Sequence, residues 1–135
     1  YLEGMTALHQ AAGAQFEKTY EKEDGRGGAA RERKKIIPPA VHPVIRTHPE
    51  TGRKALFVNS IFTQRIIGVT RKESRAILDF LYDHIATPEF TCRFHWEENS
   101  VAFWDNRCTQ HYAIADYGGV HRLMHRVTVN GDKPF

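Results

Sequence analysis

Long hydrophobic runs are missing from this sequence. No apolar stretch approaches the ~18 residues a helix needs to cross a bilayer, so no helical membrane span is expected within these 135 residues. The first residues show no basic-then-apolar leader pattern, and no signal peptide is expected there. Cysteine is scarce: Cys92 and Cys108 are the only two, which is no disulfide framework for a chain this long. Free thiols in a reducing compartment are the expectation, with a single bridge left open. A dominant charge sign is also lacking. The 19 Lys and Arg against 16 Asp and Glu leave a net charge of +3, and no one-sided basic stripe is visible to follow a nucleic-acid backbone. The densest charge run, residues 16–35, mixes both signs and reads as a solvated segment. The expectation is a cytoplasmic domain with neither nucleic acid nor membrane among its partners.

What is present suffices for one hydrophobic core, since 41% of the residues are hydrophobic. The first forty residues differ from the rest. Leu2, Met5, Leu8 and Ala12 are spaced for a short amphipathic helix, followed by a charged, glycine-rich stretch through residues 24–28 whose composition predicts a mobile loop. Residues 1–40 are read as a helix plus a flexible segment, expected to be lid-like. "IIPPAVHP" then stiffens the chain into an extended entry to a strand-rich region at 41–135.

Within that region, "HPVIRTHPETGRKALFVN" predicts two short strands joined by a turn at residues 49–52. "TRKESRAILDFLYDHIA" predicts a helix. Thr70 and Glu73 supply a capping box, Ile77, Phe80, Leu81 and Ile85 supply the apolar stripe, and Pro88 prevents continuation. "FTCRFHW" alternates apolar and polar residues, "EENS" is a turn, and "SVAFWD" is the expected hairpin partner. "HRLMHRVTV" reads as a last strand with Arg122, Met124 and Arg126 on one face. One helix against antiparallel, aromatic-rich strands suggests a barrel or sandwich.

Several residues invite a chemical reading. His121 and His125 are four apart, but the β-branched run after them favours a strand and a packed His125 over a ligand pair. His48-Pro49-Glu50 has the His-x-carboxylate spacing of a metal site, yet its proline and the following Thr51-Gly52 favour a hairpin turn. His84, beside the helix stripe, reads as surface or boundary. Arg122 and Arg126 on one strand face do not point unpaired into a core, because a buried unpaired charge costs several kcal/mol. Either they face solvent or local acids such as Asp116, or they grip an anion bidentately. His111, central in "WDNRCTQHYAIADY", holds no metal well by itself.

The words "HPVIRTHPETGRKALFVN", "FTQRI", "ESRAILDFLYDHIATPEF", "VAFWDNRCTQHYAIADY" and "HRLMHRVTVNGDKPF" together resemble the C-terminal half of the taurine dioxygenase family. Its members are iron(II)- and 2-oxoglutarate-dependent dioxygenases, among them alkylsulfatase and aryloxyalkanoate dioxygenases. The resemblance covers residues 41–135 well and the first forty loosely, through "YLEGMTALH". It implies a mainly β fold, a double-stranded β-helix (jelly roll) with one packed helix, of which this chain is the C-terminal part. It implies Fe(2+) in a two-histidine, one-carboxylate triad, with 2-oxoglutarate as cosubstrate and O2 and a small anion as substrates. By resemblance His111 is the distal iron ligand, and Arg122 grips the far carboxylate of 2-oxoglutarate. Arg126 helps bind a sulfonate, Phe62 lines the substrate pocket, and Trp104 aligns with a tryptophan near the iron, a core role being equally open. The implied reaction hydroxylates a taurine-like sulfonate or an alkyl sulfate and releases sulfite or sulfate, with succinate and CO2 as coproducts. Assembly as a dimer or tetramer of identical chains is common in the family.

In one respect the sequence departs from the family. The His-x-Asp pair that supplies the other two ligands occurs nowhere in these 135 residues, so these residues alone are expected to be inactive. Two other readings remain open: a non-catalytic anion-binding jelly-roll module without a complete triad, and a cupin-like structural metal protein using His111, His121 and His125.

Overall fold

The computed structural model describes residues 1–11, 38–114, 116, 118, 121 and 123–135. Among these residues, five short strands and one long helix carry the regular structure: β1 (Thr6–His9), β2 (Ala40–Pro43), β3 (Ile45–Thr47), β4 (Lys54–Leu56), β5 (Thr63–Ile66) and α1 (Arg71–Ile85). β1 is the centre of an antiparallel sheet ordered β2-β1-β5, with Ala7 opposite both His42 and Ile66 and a register shift between Leu8 and His9 against β5. β3 and β4 form a separate antiparallel hairpin with Ile45 opposite Leu56. Val44 joins the two sheets, because its amide donates to the Met5 carbonyl and its own carbonyl accepts from the Phe57 amide.

The residues quoted for an N-terminal helix begin instead with a strand. Gly4 takes a positive φ of 82°, in a turn closed by the Met5 amide on the Leu2 carbonyl. The chain then enters between two partner strands, where Ala7 becomes fully buried. Ladder hydrogen bonds on both edges outweigh a weak helical spacing of four apolar residues. The remainder of that expected helix and the lid-like glycine segment lie outside the described residues.

The β3–β4 hairpin follows its sequence. Its turn closes through the Gly52 amide on the His48 carbonyl, and Gly52 sits at φ 67°, which glycine adopts without steric cost. α1 begins at Thr70 with both halves of the capping box formed. Its buried face carries Ser74, Leu78 and Leu81, with Ile77, Tyr82 and Ile85 packed alongside. Phe80 is not part of it. At 3.6 residues per turn Phe80 lies about 120° from the middle of that face, and it is 68% exposed, stacked on His84. The helix docks on β5 through Ser74, whose Oγ accepts from the Ile66 amide at 2.8 Å, and through the Tyr82 hydroxyl donating to the Thr63 carbonyl at 3.4 Å. The core is Ala7, Val44, Val58, Ile66, Leu78 and Leu81.

After a 3-10 turn at Pro88–Phe90, neither "FTCRFHW" nor "SVAFWD" forms a strand. The turn between them is present, since the Ser100 amide donates to the Glu97 carbonyl and Asn99 sits at φ 64°. The expected last strand is likewise absent from the described residues among 121–129. A period of two marks two faces, but a strand also requires a hydrogen-bonding neighbour, and none faces these segments among the described residues. Phe94, Trp96, Val101, Phe103, Leu123 and Val127 are exposed as a result.

Candidate functional site

The segment carrying His111 has no regular secondary structure and is held by side chains at two points. The first is Asp105, whose carbonyl accepts from the Cys108 and Thr109 amides and the Thr109 hydroxyl, winding residues 105–109 into a turn. Its carboxylate accepts from the Arg107 amide at 2.8 Å, from the Arg107 guanidinium and, at 3.0 Å, from His48 Nε2. Arg107 also reaches Glu50 at 2.9 Å. Hydrogen bonds from Arg107, then from His48, hold the Asp105 carboxyl well below the usual carboxylate range, and the same carboxylate raises the Arg107 guanidinium. Residues 105–109 are thereby fastened to the β3–β4 turn.

The second point is Gln110. Its Nε2 donates to the carbonyl of fully buried Val58 at 2.8 Å, and its Oε1 accepts from Asn59 Nδ2 at 3.2 Å. Asn59 Oδ1 accepts in turn from the amides of Ile61 at 2.8 Å and Phe62 at 3.3 Å. The Asn59 amide donates to Thr63 Oγ1, and the Phe62 carbonyl accepts from Gln10. Asn59 thus shapes the turn that presents Phe62, which packs with Ile61 against buried Ala11.

His111 itself is exposed, with its ring 4.8 Å from that of Trp104, so these two sequence candidates do come together. Phe62 is half-buried, on the turn that Asn59 connects to Gln110. Arg126 is exposed on the C-terminal segment, and Arg122 lies outside the described residues. His121 and His125 are exposed, so the packed reading of His125 does not hold.

Among the described residues one group has three potential metal ligands close together: His48, Asp105 and Cys108, with ligand atoms within 4.8 Å of one another. Its chemistry does not suit a metal. His48 Nδ1 accepts from the Glu50 and Thr51 amides, which leaves Nε2–H to donate a hydrogen bond to Asp105. Both ring nitrogens are occupied, and Arg107 already neutralises the carboxylate. His48, 8% exposed, is a turn-locking residue, as the hairpin reading of His-Pro-Glu expects. The contribution of Gln110 and Asn59 went unread because amides at positions 51 apart leave no periodic signal.

A second polar cluster surrounds Phe57, packed against the His9 and His42 rings and with the Arg46 guanidinium over its face at 5.2 Å. The Arg46 guanidinium is paired with the Asp132 carboxylate at 2.7 and 2.9 Å.

These five strands, their helix and the clamped histidine segment form a mainly β arrangement. The solved taurine dioxygenase from Burkholderia xenovorans superposes on 79% of this chain at 36% identity and a TM-score of 0.60, using 30% of its own length. A profile of the family described as "Taurine catabolism dioxygenase TauD, TfdA family" matches residues 1–128, and the chain belongs to that family. It is 43% identical over 91 residues to the alkylsulfatase of Acinetobacter baylyi, covering 67% of this chain and 28% of that protein. To the alpha-ketoglutarate-dependent sulfate ester dioxygenase of Pseudomonas putida it is 44% identical over 93 residues, covering 69% of this chain and 31% of that one. The chain spans about a third of the length of these relatives. No helix among the described residues is long and apolar enough to cross a membrane.

Proposed function

We propose that the whole protein is an iron(II)- and 2-oxoglutarate-dependent dioxygenase that hydroxylates a small organic sulfonate or an alkyl sulfate next to the acid group. The products would be sulfite or sulfate and the aldehyde left when it departs from the hydroxylated carbon, with succinate and carbon dioxide as coproducts. The observation that carries this reading is the family match across residues 1–128, with relatives named for sulfate ester and alkyl sulfate chemistry.

The donor chemistry of this chain fits iron in part. His111 is an exposed imidazole on a segment fastened at Asp105 and Gln110, suited to supply one ligand. With no His-x-Asp in these 135 residues, the other two protein ligands are assigned to the rest of the protein. Bound iron supplies the oxygen chemistry; this chain supplies position and charge. His111 ligates, Arg122 fixes the far carboxylate of 2-oxoglutarate, Arg126 binds the sulfonate or sulfate, and Phe62 walls the substrate pocket. The closed form we propose is a jelly-roll barrel in which the exposed apolar residues after Phe90 gain partner strands. A homo-oligomer and a cytoplasmic location belong to the same proposal.

The test is succinate formation by the full-length protein with iron(II), 2-oxoglutarate and a panel of taurine, alkyl sulfates and aryloxy acids. If no member of the panel stimulates turnover, the substrate assignment is wrong. Arg126→Ala is expected to raise KM for the sulfonate or sulfate about tenfold or more while sparing 2-oxoglutarate, and Arg122→Ala to do the reverse. Equal effects on both would overturn the division of roles.

A further inference from the structure

We propose that Gln110 and Asn59 are positioning residues that couple the iron-ligand histidine to the substrate-facing aromatic. Gln110 fixes the segment carrying His111 to the same turn on which Asn59 sets Phe62. This rests on the function proposed above for the roles of His111 and Phe62, and on the hydrogen-bond geometry for the link between them.

The geometry is specific. Gln110 immediately precedes His111, and its amide is used at both ends, as donor to Val58 and as acceptor from Asn59. The Asn59 amide is also used at both ends, as donor to Gln110 and as acceptor from the Ile61 and Phe62 amides. Two side chains therefore connect residue 110 to the Phe62 backbone, and the anchor is the carbonyl of a core residue with no solvent exposure. Asp105, fastened to the β3–β4 turn, fixes the other end of the same segment. A primary amide both donates and accepts from one rigid plane, which is what positions 59 and 110 each use. A glutamate at 110 would face the Val58 carbonyl with a second acceptor. An aspartate at 59 would keep the bonds to Ile61 and Phe62 but lose the donor to Gln110. Movement of the Phe62 turn is thus transmitted to the backbone beside the metal ligand, and the reverse.

The test uses the full-length protein, manganese(II) binding by titration calorimetry, and KM and kcat with whichever sulfonate or alkyl sulfate supports turnover. Gln110→Ala is expected to weaken manganese(II) binding about tenfold, the usual scale for a residue that orients a ligand, and to raise substrate KM. Asn59→Asp, which keeps the Phe62 turn, is expected to weaken manganese(II) binding in the same direction. The double variant should be no worse than the weaker-binding single variant, because both remove one link. Wild-type manganese(II) affinity in Asn59→Asp and Gln110→Ala, or effects that simply add, would overturn the coupling. So would a lowered melting temperature with metal affinity intact. If Gln110→Ala fails to fold, Gln110→Glu takes its place in each comparison. His111→Ala separates the two levels: manganese(II) affinity unchanged in that variant would mean that His111 is no ligand and that the functional reading itself is wrong.

Discussion

His9 lies beside His42, ring centroids 5.1 Å apart and edge-on, and a buried nitrogen on each ring lacks a hydrogen-bond partner among the described residues. Burial, and secondarily the neighbouring His42, pushes the His9 pKa down to about 4. His42 is also lowered, by burial first and then by Lys133 and Arg46. Thr63 Oγ1 lies at the edge of hydrogen-bond distance from His9 Nδ1, and among the described residues no acid pairs with either ring to favour the imidazolium. The folded protein therefore binds fewer protons than the unfolded chain between the ordinary histidine pKa of about 6.5 and the folded value. Stability contributed by neutral His9 is complete above that window and is lost as pH falls through it. His9→Phe should flatten the acid limb of the melting temperature between pH 6.5 and pH 4, by about 1–2 kcal/mol after discounting for partial solvent access. An acid limb as steep in the variant as in the wild type would show that His9 is not the group responsible.

α1 separates two kinds of sequence information. Its start was legible because capping is local: Thr70 accepts from the Glu73 amide, and Glu73 accepts from the Thr70 amide and hydroxyl. Thr70→Ala should cost about 1 kcal/mol, read as a lowered denaturant midpoint. Which residues face the core was only partly legible, since Phe80 counted toward the stripe on hydrophobicity although Leu78 is the residue buried there and Phe80 is exposed. Leu78→Ala should destabilise by about 2–5 kcal/mol and Phe80→Ala by well under 1 kcal/mol; similar losses would restore Phe80 to the core. The β3–β4 hairpin was legible for the same local reason, a turn with glycine where φ is positive. β1 was not, because its conformation is imposed by β2 and β5 on either side. The alternating segments at 90–96 and 101–105 show the converse: a readable face with no strand partner among the described residues. In the candidate site, His111 and Phe62 are suggested by resemblance alone, whereas the amides that tie their segments together depend on contacts 51 residues apart.

At the scale of the molecule, one ion pair ties the C-terminal segment back to the β3–β4 hairpin. Arg46, 4% exposed, donates from Nη2 to both oxygens of Asp132, 86 residues away, at 2.7 and 2.9 Å. The Thr47 amide donates to the Phe135 carbonyl beside it. The guanidinium also lies over Phe57, and its Nε has no partner among the described residues. Burying a charge is costly, and Asp132 compensates that cost while itself remaining a third exposed. Removing the two partners should therefore have unequal effects. Asp132→Ala leaves a buried, unpaired guanidinium and should destabilise by about 2–4 kcal/mol. Arg46→Met removes the charge, retains an apolar chain against Phe57 and should cost less, with Asp132 free to hydrate. The Arg46→Met/Asp132→Ala double variant should then be close to Arg46→Met alone, because the penalty in Asp132→Ala comes from the stranded cation and not from the missing carboxylate. Urea midpoints of the four proteins decide it. If Arg46→Met costs as much as Asp132→Ala, the guanidinium contributes through packing or through its contact with Phe57, and the pair does not fasten the C-terminal segment electrostatically.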